Sequence, residues 1–581
     1  MFTIARSEPS GTNGQLYIVQ RRLTVFPPSR VNMDDAIGTA QLTLDIAGLS
    51  ARTSFIGSPT EQRKIGAYYT CPKAAMAMAR WVCRSSTRTV LEPSFGSGVF
   101  LRALRNTETE LFDLHVSGAE ISKAEVAHAI SEGLLHERDI HVGDFLNMPT
   151  RPVDAVIGNP PYVRLRNLPK NQGQLALTVA HRALGHEMEK SGSIWMAFVL
   201  HAMSFLKTGG RMSLVLPYEF TYVRYGLPLW DKLGSSFGDL RVVRVHERLF
   251  PDILQDVVIL FASDFGGQTR SVTYETYADT ARLEQAAAEG RSELDLGDIL
   301  SGKRSFVHAL LPDRLNTFLK EQSEKLTLPL GSLCTFNIGY VSGDKTFFNP
   351  SKHVRSAFNL TTSSLVPAIT NGRQLKGMGI RTSNRDKLQD EMLFLPKETL
   401  KGQLRRSDEA YVKLGEAKKV NERYKCQVRT PWYKVPGVKV PDVLLSVFAD
   451  RPLMSENDAG YVASNSLLCG YMKQGRPRDM VAAWYTSLTM LSCELEVHSL
   501  GGGVMVLVPN EAGRIAVPRI SNVSAECLNG LDSRLRSGEI ERAFDFGDDQ
   551  LLVKKLGMAK QDLQTIRDGL VALRRWRSSS R

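Results

Sequence analysis

The feature that most constrains the fold is a regular alternation of apolar, strand-like runs and helical stretches between residues 89 and 261. The runs lie at residues 89–91, 114–119, 155–157, 212–216 and 257–261. Parallel strands need long crossover connections, which helices usually provide. The alternation therefore predicts a parallel, doubly wound α/β sheet.

A glycine-containing turn follows the first of these runs. The run ends in Glu92 and leads through Gly96 and Gly98 into a helical stretch. Glycines at this position let a ligand approach the backbone at the carboxyl end of a strand. The second run ends in Glu120, 22 residues after Gly98, and an acid at that spacing can reach both hydroxyls of a ribose bound over the turn.

A third acid, Asp144, stands beside Phe145 after the next short apolar run. There it can accept a hydrogen bond from an adenine amino group next to an apolar wall. Taken singly, each of the three acids is equally well explained as a helix cap or a surface charge. The full GxGxxG pattern of dinucleotide-binding proteins is absent. A ribose acid, an adenine acid and no pyrophosphate loop together indicate S-adenosylmethionine as the cofactor.

An amide, two prolines and an aromatic ring follow the apolar run at 155–157: Asn159, Pro160, Pro161 and Tyr162. The side-chain oxygen of Asn159 and the carbonyl of Pro160 can accept both hydrogens of a planar amine. Proline has a fixed φ and no N–H, so the loop is stiff and its carbonyl can face a substrate. Tyr162 offers a flat aromatic face to a planar group that carries the amine. These residues predict a site that positions an amine for methylation without a dedicated general base.

Taken together, these segments resemble the amino-methyltransferases of DNA, and their order resembles the gamma class of TaqI-type and Eco57I-type adenine-N6 enzymes. In that class a cofactor motif precedes the glycine turn. Gly66, Thr70 and Pro72 fit this motif, whereas Cys71 stands where the family commonly has proline. The resemblance covers residues 60–265 well and 326–520 loosely. It implies a Rossmann-like class I S-adenosylmethionine-dependent methyltransferase domain followed by an α+β target-recognition domain.

The resemblance also implies roles for individual residues. Thr70 would contact the methionine moiety of the cofactor, Glu120 its ribose, and Asp144 with Phe145 its adenine. Phe198 would pack on the other side of that adenine, although an ordinary core aromatic explains it equally well. The remaining cofactor-binding residues are expected to be Glu92, Gly96, Gly98 and Pro161.

A second aromatic ring is expected on the face of the target base opposite Tyr162. The run at residues 217–225 offers several rings, of which we choose Tyr225. Most rings of this run are expected to pack against the sheet instead.

Basic residues are concentrated in the carboxy-terminal half of the chain. Residues 1–299 hold 31 Lys and Arg against 32 Asp and Glu, whereas residues 301–581 hold 42 against 29, a net charge of +13. This asymmetry indicates a neutral module joined to one that meets a polyanion. Residues 401–440 hold 11 Lys and Arg against four Asp and Glu, and their interleaved aromatics are Tyr411, Tyr424, Trp432 and Tyr433. This segment predicts a DNA-contacting surface, with a solvated basic face as the alternative. Residues 339–345 and 501–509 resemble parts of the family's recognition domains.

Four parts are expected along the chain: an amino-terminal extension (1–60), the catalytic domain (61–265), an acidic helical connector (266–325) and the recognition domain (326–581), which ends in a helix at residues 549–575. The seven cysteines are scattered and lack metal-like spacing, so neither a disulfide framework nor a metal site is predicted. With no apolar run of about 18 residues and no signal sequence, we expect a cytoplasmic protein.

The expected function is methylation of adenine N6 in duplex DNA by base flipping, as the modification enzyme of a bacterial type II restriction-modification system. The expected partners are double-stranded DNA and a separate cognate restriction endonuclease, and the enzyme is expected to be a monomer associated with the nucleoid. Methylation of a protein glutamine or an RNA base stays open, because relatives with Asn-Pro-Pro-Tyr act on those groups. A non-catalytic DNA-binding specificity subunit is the other alternative. Enzymes that act on cytosine N4 usually have Ser where this chain has Asn159.

Overall fold

The computed structural model describes residues 70–108, 114–247, 249–250, 256–382, 391–398, 402–500 and 503–578. The extension predicted at residues 1–60, and Gly66 of the first cofactor motif, lie outside the described residues. None of the helices within the described ranges combines the length and apolarity that a bilayer span requires.

A nine-stranded sheet forms the centre of the amino-terminal half, in the spatial order β3-β2-β1-β4-β5-β7-β6-β8-β9. Its strands are β1 (Thr89–Glu92), β2 (His115–Glu120), β3 (Ile140–Val142), β4 (Val153–Gly158), β5 (Leu206–Pro217), β6 (Phe237–Val245), β7 (Val257–Phe265), β8 (Ser271–Tyr277) and β9 (Gly290–Asp295). The first five strands of the spatial order are parallel, and β7 runs antiparallel to both of its neighbours. The sheet is therefore mixed rather than wholly parallel. Its order reverses at β1, between β2 and β4, where ligands bind in open α/β sheets.

Helices cover both faces of this sheet. They are α1 (Pro72–Val82), α2 (Val99–Glu108), α3 (Lys123–Ser131), α4 (Lys170–Leu184), α5 (Ile194–Met203) and α6 (Leu227–Gly234). One buried cluster includes Trp195 and Leu214, and a second includes Met78 and Val215. Leu214 and Val215 are neighbours on β5, and successive residues of a strand point to opposite faces. Both faces are thus buried, which confirms the Rossmann-like fold and explains why its strands are continuous apolar runs in the sequence.

The helical connector predicted for residues 266–325 is wrong in its first half. β8 pairs parallel with β6, and β9 pairs antiparallel with β8, so the sheet extends to Asp295. The helices of this region are α7 (Thr280–Glu284), α8 (Leu296–Leu300), α9 (Ser305–His308) and α10 (Asp313–Leu326). Helix does form at Thr280–Glu284, but the strands on either side of it depend on pairing with distant residues, β8 with β6 and β9 with β8.

The carboxy-terminal half is built from small sheets and short helices, which confirms the predicted α+β class. A four-stranded sheet has the order β11-β18-β14-β16, and the smaller sheets have the orders β13-β12-β17, β15-β20-β19 and β10-β21. The strands are β10 (Thr327–Pro329), β11 (Cys334–Ile338), β12 (Leu365–Ile369), β13 (Met392–Phe394), β14 (Val443–Ser446), β15 (Phe448–Ala449), β16 (Met454–Glu456), β17 (Val462–Ala463), β18 (Leu467–Met472), β19 (His498–Leu500), β20 (Val504–Val506) and β21 (Ala516–Pro518). The first seven helices of this half are α11 (Leu330–Leu333), α12 (Lys345–Phe348), α13 (Lys352–Ala357), α14 (Arg406–Ala417), α15 (Tyr424–Gln427), α16 (Pro477–Trp484) and α17 (Ser487–Glu496).

The helix predicted at residues 549–575 is interrupted. The chain continues through α18 (Pro509–Arg514), α19 (Ala525–Arg536), α20 (Ile540–Gly547), a π-helix (Asp548–Lys555) and α21 (Lys560–Ser578). Gly557 lies between the last two elements with φ +70, a left-handed conformation that glycine adopts at little cost. A glycine in this conformation ends one helix before the next begins.

A buried ion-pair cluster holds the carboxyl end of α21. Arg577 donates to the two carboxylate oxygens of Glu494 at 2.8 and 2.9 Å and to Asp450 Oδ1 at 2.9 Å. The side chain of Glu494 is only 3% exposed. Removing one partner of such a cluster leaves a buried charge with less compensation.

We therefore expect Arg577→Ala to lower the free energy of unfolding by about 3 kcal/mol. The measurement is the midpoint of urea unfolding. Arg575→Ala is the matched control, because Arg575 is an exposed arginine of the same helix and its loss is expected to change stability by less than about 0.5 kcal/mol. Equal midpoints for the two variants would contradict a stabilising role for the cluster.

Candidate active site

The turn after β1 is open to a ligand. Gly96 and Gly98 have φ values of +47 and +77, in the left-handed region. A Cβ built on Gly96 meets no atom within 4 Å, whereas a Cβ on Gly98 would lie 2.8 Å from Leu134 Cδ1. Gly98 thus permits close packing inside the protein, and Gly96 leaves a cradle in which a ligand can approach the backbone.

Glu120, at the end of β2, lies against this turn. Its Oε2 accepts a hydrogen bond from the Gly96 N–H at 2.9 Å, and its Oε1 accepts one from the Ser122 N–H at 2.8 Å. Burial raises the pKa of Glu120, and the backbone N–H groups oppose that rise. The acid chosen from spacing alone is therefore fixed beside the glycine turn, where ribose hydroxyls could donate to it.

Two buried polar side chains, Glu92 at the end of β1 and Thr70 before α1, have unsatisfied atoms. Glu92 is 0% exposed and Thr70 3%, and neither Glu92 carboxylate oxygen nor Thr70 Oγ1 has a well-aligned hydrogen-bond partner among the described residues. Burial, together with the carboxylate of Glu120, raises the pKa of Glu92 well above its usual range. An unpartnered buried carboxyl group is costly. The ammonium group of S-adenosylmethionine is a partner of the right charge, so these residues fit that cofactor.

Asp144 lies after β3 and also caps the 3₁₀ turn Phe145–Asn147. Its Oδ1 accepts from the Leu146 N–H at 3.0 Å, and its Oδ2 accepts from Gln172 Nε2 at 3.0 Å. Asp144 therefore acts as a helix cap, which is one of the interpretations that the sequence allows. Its carboxylate can still accept further hydrogen bonds.

Phe145 and Phe198 pack against each other, with ring centroids 5.2 Å apart. Both rings are buried, at 2% and 6% exposure, in the cluster below the sheet ends. Their packing matches the interpretation as core aromatics, and a role against a cofactor adenine stays a prediction.

Two exposed aliphatic side chains at the strand ends were missed by the sequence reasoning. Ile121 directly follows Glu120 and is 58% exposed, and Val142 ends β3 and is 50% exposed. Exposed aliphatic groups beside a site offer an apolar surface to a flat ligand. Their adjacency to the two predicted acids was the only signal in the sequence.

The loop at residues 159–162 follows β4 and is linked to the glycine turn. Ser94 Oγ donates to the carbonyl oxygen of Asn159 at 3.1 Å. The Tyr162 hydroxyl lies 2.6 Å from Asn159 Oδ1 and 2.9 Å from the carbonyl oxygen of Val215, and it can donate to either. An amide oxygen can accept two hydrogen bonds, so Asn159 Oδ1 could also accept one from a substrate amine. The loop predicted to hold an amine is therefore joined to the glycine turn predicted to hold the cofactor.

Tyr225, which was predicted to stack on the target base, takes part in a hydrogen-bond network with Glu219 and Arg164. It is 9% exposed, its hydroxyl donates to Glu219 Oε1 at 2.6 Å, and that hydroxyl accepts from Arg164 Nη1 at 2.8 Å. Arg164 Nη2 also pairs with Glu219 Oε2 at 2.6 Å. Burial and the carboxylate of Glu219 raise the pKa of Tyr225. This network fixes the chain after β5, and the role of Tyr225 as a stacking ring stays a prediction.

The ring that the structure pairs with Tyr162 is Phe250, with centroids 6.4 Å apart and an angle of 54° between the planes. The neighbouring Leu249 accepts a hydrogen bond through its carbonyl from the Cys71 N–H at 2.9 Å, which ties this segment to the cofactor motif. Sequence reasoning missed Phe250, because an aromatic residue after β6 carries no local signal of this proximity.

Both halves of the chain match known families. The sheet order and the site define the class of the Rossmann-like, S-adenosylmethionine-dependent methyltransferases. Residues 117–235 match the family described as Eco57I restriction-modification methylase, and residues 303–552 match the family described as the C-terminal domain of the type II methyltransferase M.Eco57I. Over these two ranges the chain is similar to the Eco57I-type restriction-modification methylases, which confirms the resemblance seen in the sequence.

Individual relatives have low sequence identity to this chain. The type II methyltransferase M.AccI of Acinetobacter calcoaceticus is 22% identical over 405 residues, which cover 67% of this chain and 72% of that protein. The type II methyltransferase M.XamI of Xanthomonas campestris pv. amaranthicola is 22% identical over 503 residues, which cover 82% and 90%. Among solved structures, the type IIG restriction endonuclease BpuSI is 11% identical with a TM-score of 0.40, and the match covers 90% of this chain and 66% of that one.

Proposed function

We propose that this protein transfers a methyl group from S-adenosylmethionine to N6 of adenine in duplex DNA, as the modification enzyme of a bacterial type II restriction-modification system. The observation that carries the proposal is the hydrogen bond from Ser94 to the Asn159 carbonyl oxygen. It brings the loop that would hold the target amine against the turn that would hold the methyl donor. The family matches and the basic carboxy-terminal half support DNA as the polymer.

The cofactor would be held by residues at the ends of β1, β2 and β3. Glu120 would accept from its ribose hydroxyls, Glu92 and Thr70 would surround its methionine part, and Ile121 and Val142 would contact its adenine. Gly96 leaves the space that this requires. When bound, S-adenosylmethionine supplies a methyl group on a positively charged sulfur.

The target amine would be held by Asn159 Oδ1 and the carbonyl oxygen of Pro160, which accept its two N–H groups. These contacts draw electron density toward the amine nitrogen and aim its lone pair at the methyl carbon. Held in this way, the amine nitrogen would be positioned to accept the methyl group that the bound cofactor supplies, and the amino proton released would pass to water. Positioning therefore supplies most of the rate enhancement.

Adenine N6 inside a duplex cannot reach these groups, so the base must leave the stack. The ring of Tyr162 would contact one face of the flipped base. Phe250, which is buried beside Tyr162, and Tyr225 are the two candidates for the opposite wall. We also propose that the enzyme is a monomer in the bacterial cytoplasm. A separate restriction endonuclease would act on the same DNA site.

The decisive experiment is expression in a host that lacks DNA methylation, followed by mapping of modified bases across its genome. We expect N6-methyladenine at one short sequence motif. The purified protein should also transfer labelled methyl groups to duplex DNA carrying that motif, and not to RNA or to a glutamine-containing peptide. Label on RNA or peptide alone, or N4-methylcytosine in the genome, would refute the proposed substrate.

A further inference from the structure

The structure separates the four aromatic residues of the basic segment into two groups. Tyr411 is buried and stacks on Phe347 with centroids 4.6 Å apart. Trp432 packs against Phe347 at 5.2 Å, and Tyr433 packs against Trp432 at 6.0 Å. Tyr424, in contrast, is 72% exposed. Tyr411 therefore belongs to the core of this subdomain, Trp432 and Tyr433 are partly buried against that core, and Tyr424 is the ring of the four that is largely exposed to a partner.

The helix that carries Tyr424, α15, is anchored to the loop at residues 339–345. Arg423 Nε pairs with Asp344 Oδ2 at 2.9 Å. Arg429 donates to the carbonyl oxygen of Ser342 at 2.8 Å and to that of Val341 at 2.5 Å. Residues 423–429 of the predicted DNA-contacting segment and the loop at residues 339–345, which resembles part of a recognition domain, therefore form one unit. Its anchors reduce the entropy that Tyr424 would lose on binding.

A second exposed apolar residue, Val428, directly follows the helix that carries Tyr424. Val428 is 66% exposed and follows Tyr424 by four residues, a spacing that puts two side chains on one face of a helical turn. Cys426 between them is buried and holds the turn to the protein. Tyr424 and Val428 thus form an exposed apolar surface, the apolar tip, on a turn that is anchored to the rest of the protein.

Positive charge surrounds this tip. Residues 418–440 hold seven Lys and Arg against one Glu, a net charge of +6. Lys425 Nζ lies 5.5 Å from the centroid of the Tyr424 ring. The exposed lysines of the segment are Lys418, Lys419, Lys425, Lys434 and Lys439. Cations around an apolar centre match a duplex, whose phosphates flank grooves in which the thymine methyl group offers an apolar contact.

We propose that Tyr424 and Val428 contact bases of the DNA target while the surrounding lysines contact phosphates, so that Tyr424 takes part in determining which sequence is methylated. This inference rests on the proposed function, because its ligand is double-stranded DNA. Base contacts and phosphate contacts differ in a measurable way. A phosphate contact contributes to binding of every sequence and to the salt dependence, whereas a base contact contributes only to the target sequence.

The test measures binding of the full-length protein to two fluorescent duplexes, one with the motif mapped as methylated in vivo and one with that motif scrambled. Tyr424→Ala should weaken binding to the target duplex roughly ten-fold, with the scrambled duplex and the salt dependence unchanged. Lys425→Ala should weaken binding to both duplexes and lower the slope of log K against log salt by about one.

Two further variants control for indirect effects. Tyr424→Phe keeps the ring and should retain target affinity. Val571→Ala removes an equally exposed apolar side chain, 65% exposed on α21, and should behave as the wild type. A Tyr424→Ala variant that binds the target duplex like the wild type, or that loses affinity equally for both duplexes, would overturn the inference. A wild-type protein that binds neither duplex would overturn the proposed function as well.

Discussion

Asn159→Ala is expected to lower kcat for methyl transfer by about 10²–10³-fold or more, the usual cost of removing one group that stabilises a transition state through a hydrogen bond. Alanine removes the amide oxygen that would accept from the target amine and leaves the backbone carbonyl that Ser94 holds. The cofactor cradle at Gly96 is not touched, so the Kd for S-adenosylmethionine should stay within about two-fold of the wild type, since no contact assigned to it is lost. Single-turnover methylation of target duplex, together with calorimetric titration of the cofactor, measures both quantities.

Tyr162→Phe is the matched variant for this experiment. It keeps the ring that would face the flipped base and removes the hydroxyl that lies within hydrogen-bond distance of Asn159 Oδ1 and the Val215 carbonyl oxygen. A lost hydrogen bond of this kind costs about 1 kcal/mol, so a loss of roughly five-fold in kcat is expected. An Asn159→Ala enzyme that methylates DNA at the wild-type rate would show that the reaction centre lies elsewhere.

Glu120→Ala is expected to weaken binding of S-adenosylmethionine by roughly 10–100-fold, because hydrogen bonds to a charged group contribute about 1.5–3 kcal/mol. The effect has two sources in the structure. The carboxylate would lose its contacts with the ribose, and the Gly96 N–H would lose the acceptor that fixes the turn. Affinity for duplex DNA should remain unchanged, because Glu120 is at the cofactor side of the site.

The control for this prediction is Glu137→Ala, which removes an exposed acid from the 3₁₀ turn Glu137–Asp139 that precedes β3. Calorimetric titration of both variants with the cofactor separates a specific loss from a general change of charge. Similar cofactor affinities for the two variants would exclude Glu120 from the binding site.

Several parts of the site could be predicted because their signals are local. Glu120 follows an apolar run at a fixed spacing from Gly98, and parallel strands that end at the same edge bring such residues together. The structure indeed puts Glu120 Oε2 within 2.9 Å of the Gly96 nitrogen. Asn159, Pro160, Pro161 and Tyr162 form one short loop, so their proximity is a property of the chain itself.

Other parts could not be predicted, because they depend on segments distant in the chain. Phe250 lies beside Tyr162, 88 residues earlier in the chain, only because β4 and β6 belong to one sheet. β8 joins that sheet by pairing with β6, and β9 joins it by pairing with β8, and neither pairing can be read from the local composition. Tyr225 was chosen from a run of similar rings, and only the positions of Glu219 and Arg164 show how it is held.

The sequence by itself determined the class of fold, the strand-end acids and the Asn-Pro-Pro-Tyr loop, since these follow from burial patterns and short spacings. The tertiary structure alone decided which distant segments meet. It brings Ser94 to the backbone carbonyl of Asn159, Phe250 to Tyr162, and α15 to the loop at residues 339–345. It also decided which aromatics of the basic segment are buried and which one is exposed. The physical reason is that burial and side-chain contacts are set by packing between distant segments, whereas periodicity and spacing are set along the chain.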